Sequence, residues 1–241
     1  MQTRLHLFTS AFKSLLNFFY PARCIGCGHE LMAEESLLCA DCMSQLPFLR
    51  LENEADNPVF INIAGRVPVL YATAVFNFTK DGIVQQLLHE LKYKGRPDIG
   101  RFLGRIAGER LACASLFTPP DLIVPVPLHR KKLKKRGYNQ SLCIAQGIRE
   151  SFPQAFIRED ILLKREETQS QTKKNRLARW ENVKTTFVLN EAAEHDPALQ
   201  GRHFLLVDDV ITTGATIESC VRRLLRIPGS RVSVAAVATP L

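Results

Sequence analysis

Segments with the apolar pattern of strands are followed along this chain by segments whose apolar residues recur at helical spacing. The predicted strands cover residues 71–79, 121–128, 204–210 and 231–239. The predicted helices cover residues 82–95, 100–114, 139–150 and 214–226, with a further apolar segment at 155–163. Strands that alternate with helices of this length form right-handed βαβ units. We therefore predict an α/β fold with a parallel sheet flanked by helices.

Two adjacent carboxylates, Asp208 and Asp209, interrupt the most apolar of these strands. In a parallel sheet, ligands bind at the carboxyl ends of the strands, where this pair is expected to lie. The loop and helix start that follow contain Thr212, Thr213, Gly214, Ala215 and Thr216.

This loop has the residue types of an anion site. Gly214 allows close backbone approach, and the first free amides of the next helix attract a phosphate. Carboxylates only accept hydrogen bonds, so Asp208 and Asp209 suit the hydroxyls of a sugar attached to that phosphate. We predict a phosphorylated ribose. The alternative is an ordinary strand-to-helix turn with Asp as its cap.

Composition narrows the class of protein. With 241 residues, 46% hydrophobic and 23% charged, the chain can bury one substantial core plus a small module, which excludes disorder throughout. Its net charge of +8 favours anionic partners such as phosphates, nucleic acid or an acidic membrane surface.

Four of the seven cysteines form two Cys-x-x-Cys pairs: Cys24 with Cys27, and Cys39 with Cys42. This spacing predicts a structural zinc ribbon or knuckle, with Gly26 and Gly28 relieving strain in the first turn. The alternatives are two disulfides or four free thiols, and His29 is a competing ligand. The remaining cysteines, expected to be small core residues, are Cys113, Cys143 and Cys220.

The N-terminal segment has apolar residues at helical spacing, from Leu5 to Phe19, without a small-residue cleavage site before Pro21. It predicts an amphipathic helix that covers the core, or alternatively one that lies on a membrane surface. No apolar run approaches the roughly 20 residues that span a bilayer. We therefore expect a cytoplasmic protein without a transmembrane segment.

The strand, the acidic pair and the Thr-Gly loop of residues 204–216 together resemble the signature of type I phosphoribosyltransferases, which bind 5-phosphoribosyl 1-pyrophosphate (PRPP). That resemblance implies that Asp208 and Asp209 contact the ribose hydroxyls and that Thr212–Thr216 hold the 5-phosphate. Further stretches resemble the ComF competence family: the double Cys-x-x-Cys, "KYKGR" at 92–96, "VPVPLHRKKLKKRGYNQ" at 124–140, and a spaced pattern of Thr168, Gln171, Arg176, Arg179 and Asn182.

The family resemblance implies a zinc module on a phosphoribosyltransferase domain that acts in cytoplasmic handling of DNA during natural transformation. The predicted reaction is displacement at the anomeric carbon by a nitrogen nucleophile, with Mg²⁺ and basic side chains neutralising the departing pyrophosphate. Arg136, in the basic run 130–136, is the predicted pyrophosphate contact. Single-stranded DNA and the DNA-uptake machinery are the expected macromolecular partners.

Several alternatives stay open at this point. "KYKGR" could be only a helix end, and the polar stretch 164–182 either a lid or a flexible linker. His129 receives no role, and neither the acceptor nor a general base is identified. A second function is a non-catalytic nucleic-acid-binding or regulatory protein that senses PRPP. The predicted boundaries are an amphipathic helix and four-cysteine zinc module at 1–47, a linker at 48–65 and a phosphoribosyltransferase-like domain at 66–241.

Overall fold

A computed structural model describes residues 22–32, 35–165 and 187–241. The predicted amphipathic helix before Pro21 lies outside the described residues, as does most of the predicted lid, residues 166–182. The strands are β1 Tyr71–Asn77, β2 Leu122–Pro125, β3 Phe156–Ile157, β4 Leu162–Lys164, β5 Phe187–Leu189, β6 His203–Val210 and β7 Arg231–Thr239. The helices are α1 Ala40–Ser44, α2 Pro58–Ala64, α3 Ile83–Tyr93, α4 Pro97–Cys113, α5 Arg130–Arg136, α6 Gln140–Arg149, α7 Glu191–Glu194 and α8 Ala215–Leu224, and short 3-10 turns cover Leu51–Asn53 and Pro197–Leu199.

The main sheet has five strands in the order β1-β7-β6-β2-β3, and every neighbouring pair is parallel. The apolar runs of β2 and β6 are buried, as expected for strands covered on both faces. The predicted α/β class, with a parallel sheet flanked by helices and a small N-terminal zinc ribbon, is confirmed. The segment 155–163 divides between β3 and β4, and β4 pairs antiparallel with β5 in a separate small sheet.

Two apolar cores lie on opposite faces of the main sheet. One core contains the apolar sides of α3, α4 and α6. The other contains those of α2 and α8 together with β4 and β5. Alternate residues of β6 divide between them, because Leu205 and Val207 belong to the first core and Phe204 and Leu206 to the second. The sheet is therefore covered by helices on both sides.

Helices α4 and α6 cross at glycine contacts. A Cβ atom at Gly104 would lie 2.1 Å from the carbonyl oxygen of Ile144, and one at Gly147 would lie 2.2 Å from that of Arg101. Any side chain at these positions would push the helices apart, because real Cβ atoms do not approach backbone oxygen this closely. The contact holds α6 close to α4 and so sets where the first turn of α6 lies.

The cysteine-rich segment packs on the first core. Cys24, Cys42 and Leu46 are buried in the same cluster as α3. Residues 48–65, expected to be a linker, contain α2, in which Val59 and Ile63 are buried. The predicted domain boundaries at residues 47 and 65 stay a prediction.

Candidate functional site

The site lies at the carboxyl edge of the sheet, between β2 and β6. From β2 the chain continues into α5 and α6, and α6 packs on one face of the sheet, whereas α8 follows β6 on the opposite face. The position where the connections of neighbouring strands leave on opposite faces is where open parallel sheets bind ligands. Asp208 and Asp209 directly precede Val210, the last residue of β6.

Both carboxylates are buried and already partnered. Asp208 Oδ1 accepts hydrogen bonds from Ser141 Oγ at 3.0 Å and from the Asp209 amide at 2.9 Å. Asp209 Oδ1 accepts from the Val210 amide at 2.8 Å, and its Oδ2 lies 2.5 Å from Lys92 Nζ. The pair is thus held by the first turn of α6 and the last turn of α3.

Asp208 has a strongly raised pKa. Burial, and then the negative charge of Asp209, raise its pKa to about 7 from an ordinary value of 3.8. Hydrogen bonds from the Asp209 amide and Ser141, and the charge of Lys92, act in the opposite direction. A carboxyl that titrates near neutral pH at a strand end marks a candidate functional site.

The loop after β6 has the backbone geometry of an anion site. Gly214 is the N-cap of α8 with φ 75°, in the left-handed region that favours glycine, and no side chain caps this helix. Thr212 and Thr213 are exposed, whereas Ala215 and Thr216 are half-buried. The first amides of α8 and three threonine hydroxyls are therefore available to an anion at this loop.

Two side chains from the α2 region lie against the loop. Arg66 Nη1 donates to the carbonyl oxygen of Thr213 at 2.6 Å, and Asn62 lies within 4 Å of the Cβ position of Gly214. Sequence reasoning missed both, because no local pattern connects them with a loop about 150 residues away. It also missed Ser141, although the helix start "YNQS" at 138–141 overlaps the stretch that resembles the ComF family.

Arg136 lies at the end of α5, the helix that the basic run 130–136 forms. Arg136 Nη1 donates to Gln140 Oε1 at 2.5 Å, and its guanidinium lies 5.7 Å from the ring centre of Tyr93. Gly137, with φ 85°, ends α5 and allows the chain to turn directly into α6. Arg136 therefore lies over Tyr93, the residue that follows Lys92 in the chain. Its role as a pyrophosphate contact stays a prediction.

The four cysteines form a second, separate centre. Their Sγ atoms all lie within 4.8 Å of one another, and those of Cys27 and Cys39 are 3.6 Å apart. Tetrahedral zinc with Zn–S bonds of about 2.3 Å needs sulfurs about 3.8 Å apart, so the residues fit the ion. Among the described residues, His29 does not belong to this group. The four cysteines are therefore the ligands that the structure brings together, as predicted, and His29 is not one of them.

The chain around the zinc centre is shaped for it. Burial acts to raise the pKa of Cys24, but hydrogen bonds from the amides of Cys39, Cys27 and Gly26 lower it to about 6. A Cβ at Gly26 would lie 2.8 Å from Cys42 Sγ, so a larger residue there would collide with a ligand. Gly28 has φ 77° in the same turn. At Cys24, amide hydrogen bonds favour the thiolate form that zinc requires, whereas burial raises the pKa of Cys42.

Residues 15–53 match the double zinc ribbon domain family, and a parallel α/β sheet follows them in the chain. The chain is 27% identical over 229 residues to Competence protein F of Haemophilus influenzae, covering 88% of this chain and 93% of that protein. It is 28% identical over 164 residues to Competence protein ComFC of Bacillus subtilis, a match that covers 66% of this chain and 60% of that protein. These relatives confirm the predicted resemblance to the competence family.

Further similarity is to the DNA utilization protein YhgH of Escherichia coli, at 32% identity over 151 residues. That match covers 61% of this chain and spans 63% of the relative's length. Two solved structures are also similar. A glutamine PRPP amidotransferase from B. subtilis complexed with ADP and GMP has a TM-score of 0.41 and 20% identity, and the match covers 61% of this chain and 30% of that one. A hypothetical protein from Neisseria gonorrhoeae with bound ppGpp has a TM-score of 0.39 and 15% identity, and the match covers 59% of this chain and 68% of that one. Among the described residues, no helix is long and apolar enough to cross a membrane.

Proposed function

We propose that this protein binds PRPP at the carboxyl edge of its sheet and acts in the cytoplasmic handling of DNA during natural transformation. The observation that carries the proposal is the buried acid pair next to a loop with free helix amides. Asp208 and Asp209 would accept hydrogen bonds from the ribose 2′ and 3′ hydroxyls, and Thr212–Thr216 would hold the 5-phosphate. The names of the relatives, DNA utilization protein and Competence protein F, support the DNA-related role.

The proposed chemistry is ribosyl transfer. The bond between the anomeric carbon and pyrophosphate breaks with its electron pair leaving on pyrophosphate, and a nitrogen of the acceptor bonds to that carbon. The fixed phosphate and diol would hold the ring in place for this attack. Arg136 and Lys92 are the two cations that we propose contact the pyrophosphate. Mg²⁺ is proposed only as the counter-ion of pyrophosphate, because both acids already have protein partners.

Zinc has a structural role in this proposal. Its four thiolate ligands, Cys24, Cys27, Cys39 and Cys42, leave no open position for a reacting water. The ion would hold together two turns that pack on the first core.

A second candidate function is supported by the surface of α5. Six of its seven residues are basic, none is buried, and Leu133 is 40% exposed. Tyr93 beside it is 66% exposed and lies under the Arg136 guanidinium. Basic side chains next to an exposed aromatic ring are typical of surfaces that bind single-stranded nucleic acid. The protein would then bind DNA and sense PRPP without turning it over.

One experiment separates the two functions. Calorimetry with PRPP and Mg²⁺ measures binding, and pyrophosphate release is then followed with a panel of nucleobases and single-stranded nucleic acids. Binding with acceptor-dependent release identifies a transferase, whereas binding without release identifies a sensor. If PRPP does not bind at millimolar concentration, both forms of the proposal are wrong.

A further inference from the structure

The acid pair meets an internal cation at the position where a sugar would bind. Lys92, in the last turn of α3, has its Nζ 2.5 Å from Asp209 Oδ2. The other oxygen of Asp209 accepts from the Val210 amide. Among the residues that the structure describes, Lys92 is the cationic side chain within ion-pair distance of this pair. A ribose hydroxyl that approaches Oδ2 must therefore share or displace Lys92.

The ion pair has an electrostatic cause. Two adjacent buried carboxylates repel each other, and Asp208 receives only hydroxyl and amide hydrogen bonds at its Oδ1. A cation next to Asp209 offsets that repulsion while the site holds no ligand. Lysine suits temporary pairing, because its ammonium is a point charge on a flexible four-carbon stem. Lys92 is also 26% exposed, so it has room to move.

We infer that Lys92 is a ligand-exchange residue, which pairs with Asp209 in the free protein and transfers to the pyrophosphate group when a ribose diol takes its place. This inference rests on the proposed binding of PRPP at the acid pair. The diol would donate hydrogen bonds to Asp209 in place of Lys92, and pyrophosphate would replace Asp209 as the negatively charged partner of Lys92. Tyr93, next in sequence, lies under Arg136, the predicted pyrophosphate contact.

If Lys92 moves from Asp209 to pyrophosphate, removal of its charge should change the affinities for PRPP and for ribose 5-phosphate in opposite directions. Lys92→Met keeps most of the stem length and removes the charge. PRPP with Mg²⁺ should bind about 10- to 100-fold more weakly, because a charge-assisted contact to pyrophosphate is lost. Ribose 5-phosphate has the diol but no pyrophosphate, and it should bind about two- to fivefold more tightly, because it no longer displaces an ion pair. Lys92→Arg should recover much of the PRPP affinity.

The assay is calorimetry at about pH 8.5, above the pKa of about 7 that Asp208 has in the unmodified protein. Lys94→Met is the matched control, since Lys94 is an exposed lysine at the same helix end, and it should leave both affinities unchanged. If Lys92→Met weakens both ligands equally, Lys92 merely supports the acid pair and the exchange is wrong. If it leaves PRPP affinity unchanged, the pyrophosphate contact is wrong. If the unmodified protein binds neither ligand, the proposed function fails first, and the exchange fails with it.

Discussion

Replacement of Asp208 and Asp209 by asparagine tests the proposed ribose contact most directly. The substitution keeps the size and polarity of both side chains and removes two negative charges. An amide side chain at position 208 would still accept a hydrogen bond from Ser141, which now donates to Asp208 Oδ1 at 3.0 Å. Lys92 would lose its partner and could turn to solvent, since it is 26% exposed. We therefore expect the variant to fold and to lose mainly the interactions with the ribose diol.

The expected loss follows from the number of contacts. A hydrogen bond to a charged group contributes about 1.5–3 kcal/mol, and two neighbouring ones are not additive. The double asparagine variant should therefore bind PRPP more weakly by about 2–4 kcal/mol, which is about 30- to 700-fold. Inorganic phosphate should bind nearly as before, because its proposed site is the backbone of the loop and not the carboxylates. The unequal loss for the two ligands is the specific signature of a diol contact.

Calorimetry at about pH 8.5 measures both ligands with Asp208 ionised in the parent protein, since its pKa is about 7. Asp160→Asn is a matched control, because it makes the same change in an exposed ion pair with Arg158 beside β3. Gly214→Val should behave oppositely and abolish the binding of phosphate and PRPP alike, since Gly214 has φ 75° and valine rarely adopts it. Normal PRPP affinity in the double asparagine variant would show that the acids do not bind ribose, and the assignment would lose its main residues.

Three further predictions concern the metal, the pH dependence and DNA. The purified protein should contain about one zinc per chain by atomic emission, and Cys24→Ser or Cys39→Ser should lose metal and solubility together, because metal binding contributes folding energy; a fully folded metal-free ribbon would contradict this. PRPP affinity should rise with pH up to about 7 and then level off, because the diol needs the carboxylate form of Asp208. The groups that face this carboxyl and shift its pKa are Asp209, Lys92 and Ser141. Because that pKa lies above the ordinary value of 3.8, Asp208 contributes stability at low pH that is lost as pH rises from about 4 to about 7, and Asp208→Asn should flatten both profiles in calorimetry and thermal unfolding. Single-stranded DNA should bind less tightly as salt rises, and charge reversal at Lys131, Lys132, Lys134 and Lys135 should flatten that salt slope in fluorescence anisotropy; affinity that ignores salt would argue against a DNA surface on α5.

Local patterns in the sequence predict most of the sheet and one half of the site. The alternation of residues 231–239 predicts the last strand, and these residues are the bounds of β7. The helix after the Thr-Gly loop starts directly after Gly214, close to the predicted start, and glycine is the residue that adopts the φ of 75° found there. The four cysteines come together as their spacing predicts, since each pair closes a short local turn.

The other half of the site depends on contacts that no local pattern encodes. Lys92 and Asp209 are 117 positions apart, and Ser141 and Asp208 are 67 apart, and only the sheet order brings them together. Helix α5 escapes prediction because its sequence, RKKLKKR, has a single apolar residue and so lacks helical periodicity. The α2 segment resembles a linker because its acidic flank, "LENEAD" at 51–56, masks the short apolar run that follows.

The packing of the zinc ribbon on α3 has a consequence for the order of folding. The two cysteine pairs are separated by only eleven residues, so the ribbon can form early from local contacts. It then covers the start of α3, where a Cβ at Gly26 would lie 3.5 Å from Ile83, while the other end of the same helix carries Lys92. A chain that lacks zinc would therefore keep α3 packed in the first core and lose the cover over the start of that helix. Loss of zinc should thus disturb the first turn of α3 more than the last turn, which carries Lys92.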